Sequence, residues 1–65
     1  MKIKRAYHEN IFKGWKLEYK GYTGHLALGR NEYTLFIHGD FVCQERYFKD
    51  IKQRASEEFI KRYGE

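Results

Sequence analysis

His25, His38 and Cys43 are the side chains here whose chemistry is most specific, because imidazole and thiolate serve as metal ligands, bases and nucleophiles. A zinc site usually draws its ligands from two close pairs, such as C-x-x-C or two histidines four residues apart. The sequence holds no such pair. The strand register derived below sets His25 opposite Phe36 and not beside His38. No metal or other cofactor is therefore expected. Nucleophilic catalysis through Cys43 needs a thiolate held beside a base in a cleft, and a small sheet with one helix offers little cleft. Glu57 and Glu58 are neighbours on a helix, so their carboxylates do not face each other. Gly21, Gly24 and Gly29 are spaced by hairpin geometry and form no phosphate-cradling loop. The chain reads as a binding module and not as an enzyme.

What remains is a set of cations interleaved with aromatic rings. The net charge of +4 is unevenly placed. Residues 1–20 hold six basic side chains against Glu9 and Glu18, while residues 21–65 balance seven against seven. Such an asymmetry suits contact with phosphate or with an acidic protein surface. Its plain alternative is a solvated N-terminal arm.

These residues must be positioned by strands. Trp15, Leu17 and Tyr19 alternate with Lys16, Glu18 and Lys20, the period of a half-buried strand. Lys20-Gly21 reads as a two-residue turn. Pairing Tyr19 with Tyr22 across it sets Leu17 against Gly24 and Trp15 against Leu26. A second turn falls near Gly29–Glu32. Pairing Leu28 with Tyr33 sets Leu26 against Leu35 and Gly24 against Ile37. The two registers are independent, yet both place the same apolar residues on one face, which argues for an antiparallel meander. The alternative keeps Gly21 as a bulge inside one long strand. Strands are expected over about 11–19, 22–28 and 33–38, with Gly14 a candidate bulge. Residues 1–10 are either an edge strand or a basic arm. Gly39-Asp40 reads as a further turn. Pairing Phe41 with His38 would make 41–43 a short fourth strand, with Val42 inward and Phe41 and Cys43 outward.

Asp50 with Gln53 three residues on reads as an N-cap and its capping-box partner. Ile51, Ala55 and Phe59 follow at helical spacing, with Tyr63 near the same stripe. Gly64 stands where a glycine ends a helix. The fold expected is α+β, a three- or four-stranded antiparallel β-meander (11–46) packed against one C-terminal helix (50–63), in a single domain of 65 residues.

The open sheet face would then carry Lys16, Lys20, His25, Thr34 and Phe36, a mixture that suits phosphates and bases. The expected nucleic-acid contacts are Lys2, Lys4, Arg5, Lys16, Lys20, His25 and Phe36. A narrow ribbon of two or three strands can enter a major groove. Glu18 sits within the same face and opposes such binding. A protein-interaction module or inhibitor, possible as a homodimer through a sheet edge, is the second expectation, with Phe36, Phe41 and Ile60 as its contacts. The lone Cys43 and the lack of a long apolar run suggest a cytoplasmic protein without a membrane span.

The run Tyr19-Lys20-Gly21-Tyr22-Thr23, a following strand, Phe48 and a helix bearing Phe59-Ile60 resembles many small phage and prophage proteins. The layout also resembles the arm-site DNA-binding domains of phage integrases, which set a three-stranded sheet against a helix. The resemblance implies an accessory protein whose partner is nucleic acid or a host or phage protein.

Overall fold

The computed structural model describes residues 2–8 and 12–65, with side-chain detail for Ile3 and from Gly14 onward. Five strands, β1 (Lys2–His8), β2 (Phe12–Tyr19), β3 (Tyr22–Leu28), β4 (Tyr33–Ile37) and β5 (Asp40–Glu45), precede one helix, α1 (Phe48–Tyr63). The strands form one antiparallel sheet in the order β1-β2-β3-β4-β5. The α+β meander with a C-terminal helix is the observed architecture. The sheet is wider than three or four strands because both of its optional edges pair. Residues of the N-terminal segment pair with β2 along its length, from Lys2 opposite Glu18 to His8 opposite Phe12. The expected beginning of β2 at Ile11 lies outside the described residues.

The central registers follow from the turns. Tyr19 pairs with Tyr22, Leu17 with Gly24 and Trp15 with Leu26. Leu28 pairs with Tyr33, Leu26 with Leu35 and Gly24 with Ile37. Lys20 and Gly21 have φ of 50° and 84°. Positive φ at both centres marks a type I′ turn, whose twist matches that of the flanking strands. Gly21 is thus a turn residue and not a bulge. Pairing also runs through Gly14 without a shift, opposite Ala6 and Ala27. The β3–β4 turn closes with the Gly29 amide donating to the Glu32 carbonyl at 2.8 Å.

Two local expectations are corrected. The β4–β5 turn is His38-Gly39, with φ of 55° and 79°, so Asp40 already belongs to β5 and pairs with Ile37. Phe41 therefore pairs with Phe36 and not with His38. The register then shifts, because Cys43, and not Val42, lies opposite Leu35. This bulge places one extra residue in β5 and turns Cys43 inward beside Val42, where both pack on the core. The helix also starts two residues earlier than expected. Tyr47 is its N-cap and makes no side-chain cap bond; its carbonyl instead accepts from the amides of Asp50 and Ile51, each at 3.1 Å. Asp50 lies in the first turn and Lys61 and Arg62 in the last, signs that suit the helix dipole. Gly64, at φ 82°, ends the helix by donating to the Ile60 carbonyl at 2.8 Å.

Leu17, Leu26, Leu35, Ile37, Ile51, Ala55 and Phe59 are fully buried between helix and sheet. Phe59 lies on Gly24. A β-carbon there would stand 2.9 Å from the Phe59 Cζ and 3.0 Å from the Phe36 carbonyl oxygen. The rings of Trp15, Phe48 and Tyr33 close one end of the core, with Trp15 and Phe48 centroids 5.0 Å apart. At the other end Tyr22 stacks on Tyr63 at 3.6 Å, Tyr19 stacks on Phe59 at 5.4 Å, and the Tyr19 hydroxyl donates to the Gly64 carbonyl.

Two glycines should fail for different reasons. Gly24→Ala inserts a methyl where no space exists and should cost about 1–3 kcal/mol. Gly21→Ala meets nothing within 4 Å but must hold positive φ, which costs roughly 1–2 kcal/mol. Urea denaturation followed by Trp15 fluorescence measures both. Gly24→Ala should also disturb the Phe59 ring resonances, and Gly21→Ala should leave them in place.

Candidate functional site

All of α1 that touches the sheet does so on the face carrying Leu17, Leu26, Leu35 and Ile37. Among the described residues, no element covers the opposite face. Residues paired directly across antiparallel strands share a face, so the registers can be read as rows. Lys4 pairs with Lys16, Lys16 with His25, His25 with Phe36, and Phe36 with Phe41. The result is one row across all five strands on the open face, cationic at the β1 end and aromatic at the β5 end. Lys16 and His25 are exposed and Phe36 is half-buried. Phe41 is 61% exposed and meets Phe36 edge to face, with centroids 6.4 Å apart.

The rows on either side differ in character. On one, Lys2 pairs with Glu18 and Glu18 with Thr23, so the acidic residue of this face stands opposite a lysine position. On the other, Ala6, Gly14, Ala27, Thr34 and Gln44 pair in succession. These side chains are small until β5, where the Gln44 amide donates to the Thr34 hydroxyl at 3.1 Å. The cation–aromatic row therefore borders a low strip, and neighbouring rows lie about 7 Å apart along the strands.

The structure brings together Lys16, His25 and Phe36 of the expected nucleic-acid set, with Lys4 in register beside Lys16 and Lys2 in the next row. The side chains of Lys2, Lys4 and Arg5 lie outside the described residues. By register, Arg5 pairs with Trp15, on the helix-facing side. Lys20 is not brought to the row. It occupies the β2–β3 turn, and its Nζ lies 5.5 Å from the ring centroid of Tyr19, which stacks on Phe59 in the core. The alternative set also divides. Phe36 and Phe41 lie side by side on the open face, whereas Ile60, 38% exposed, projects from the helix layer.

The three residues of most specific chemistry lie on separate surfaces. His25 is on the open face. His38, in the β4–β5 turn, meets Tyr22 and Tyr63 edge on, at 6.4 and 6.1 Å. Cys43 is half-buried on the helix side. There it neighbours Arg54, whose pKa is raised chiefly by the Cys43 sulfur, then by Glu58 and Glu45. Among the described residues, no three His, Cys, Asp or Glu side chains are grouped so as to hold a metal ion, and no helix is long and apolar enough to cross a membrane.

The outward position expected for Phe41 agrees with the structure, but its partner is Phe36 and not His38, which brings it directly into the row. The signal for this register is His38-Gly39, which like Lys20-Gly21 puts a glycine at the second centre of a two-residue turn and suits the same turn type. Comparison with family models, with curated proteins and with solved structures finds no match for this chain.

Proposed function

We propose that this chain is a small non-enzymatic accessory protein, of the phage type its sequence resembles, that binds nucleic acid through the open face of its sheet. The observation that carries the reading is the row Lys4–Lys16–His25–Phe36–Phe41. Cations gathered on one surface attract phosphates and release counterions, which supplies most of the affinity of such contacts. Exposed rings beside them give bases a surface to stack on. Of the six basic residues in 1–20, Lys2, Lys4 and Lys16 fall on this face by register, all toward the β1 end of the row. Glu18 is the opposing charge, and its pairing with Lys2 places it one row away.

A second reading rests on the same two phenylalanines. The exposed Phe41 and the half-buried Phe36 beside it form an apolar pair, and such pairs also anchor protein partners. Salt separates the two readings, because phosphate contacts weaken steeply with ionic strength and apolar contacts do not.

Charge reversal at Lys16 tests the proposal, with Lys20 as the internal comparison. Fluorescence anisotropy with a labelled oligonucleotide at about 50 mM salt should show a loss of tenfold or more for Lys16→Glu. Lys20→Glu, placed in the turn and away from the row, should cost distinctly less. Circular dichroism should be unchanged for both. Equal effects at the two positions, or no effect at Lys16, would overturn the assignment of this face.

A further inference from the structure

We infer that the nucleic acid this face takes is single-stranded, and that it crosses the β-strands along the row with a base stacked on Phe41. The inference rests on the proposed nucleic-acid reading and narrows it to one class of ligand.

The first argument is width. Strands lie about 4.8 Å apart, so five of them span roughly 19 Å between the outer strand axes. The major groove of a DNA duplex is only about 12 Å wide. A narrow ribbon can be lowered into that groove, but a sheet of this width cannot be lowered face first. In the row, the cations sit toward one edge and the rings toward the other. Neither end of the row can then work as the floor of a groove reader.

The second argument is the state of the aromatic pair. Phe41 lies on the edge strand β5, its ring nearly perpendicular to that of Phe36 with centroids 6.4 Å apart, and 61% of the residue is exposed, so most of its ring is open to a ligand. A duplex offers no free base face to such a ring, because its bases are stacked on one another. An unpaired strand does, and stacking of this kind tolerates any base.

The third argument is spacing. Lys16 is two strands from Phe36, roughly 10 Å away, with His25 between them. A flexible strand crossing the sheet therefore meets cations and rings within a few nucleotides. The low strip of Gly14, Ala27 and Thr34 on one side leaves the ridge accessible to sugars. Glu18 on the other side discourages phosphates from straying across it. The geometry favours phosphates over Lys16 and bases over Phe36 and Phe41. It does not require a particular sequence.

The test compares a labelled mixed-sequence single strand of about a dozen nucleotides with its own duplex, at low salt, on the full chain. The single strand should bind at least tenfold more tightly. Phe41→Ala should weaken single-strand binding about tenfold and leave any duplex binding unchanged. Trp15 lies on the opposite face beside Phe48 and Tyr33, so an unaltered tryptophan emission spectrum reports that the variant is folded. Duplex binding as tight as single-strand binding would overturn the inference while leaving the nucleic-acid reading standing. So would an unchanged single-strand affinity in Phe41→Ala. Binding of neither ligand at low salt would overturn both.

Discussion

The seat of Phe59 on Gly24 is the constraint on which the rest of this small structure depends. Among the described residues only seven apolar side chains are fully buried, so a single misplaced ring would disturb a large part of the core. Gly24 is the third residue of β3, the central strand, and lies between Leu17 and Ile37 in its row. The absent side chain lets the helix descend onto the sheet. Tyr19 then stacks on the buried Phe59 ring, and Tyr63, one helical turn further on, reaches Tyr22. The same descent commits the helix to one face. The other face is left to solvent, and every candidate binding residue of the row belongs to it. Core packing and the candidate site are two consequences of one missing methyl group.

The legibility of the fold in the sequence varies along the chain for physical reasons. The β2–β3–β4 registers are readable because polar and apolar residues alternate there, and because each turn permits only one pairing that keeps the apolar set together. The β5 register is not readable in that way. Phe41, Val42 and Cys43 are all apolar, so alternation cannot choose between inward and outward, and the bulge that decides the matter leaves no mark in composition. The helix start is obscured by a decoy. Asp50 followed by Gln53 has the form of a capping box, but Phe48 is drawn into the Trp15–Tyr33 cluster, and ordering it adds two helical residues in front of Asp50. Packing outweighs a capping preference worth about 1 kcal/mol.

The candidate site was legible in its parts and not in its assembly. Lys16, His25 and Phe36 stood out as an unusual mixture on the polar side of two strands. Joining them with Lys4 and Phe41 required both outer strands, and those were the least patterned. Lys20 shows the converse. Its place in the alternation suggested the same face as Lys16, but a residue at φ 50° in a tight turn no longer obeys the strand period. Its ammonium comes to rest near Tyr19 instead.

Strand order in this sheet is the same as chain order. Each strand therefore finds its partner across a short connection, two residues at Lys20-Gly21 and two at His38-Gly39. In kinetic terms the sheet is built from contacts of low sequence separation, and each hairpin closes with little loss of chain entropy. The long closure is that of the helix terminus, where the Tyr19 hydroxyl meets the Gly64 carbonyl across 45 residues. The entropic cost of folding is thus concentrated in seating α1, at a stage when the meander can already present the hollow at Gly24 as its receptor.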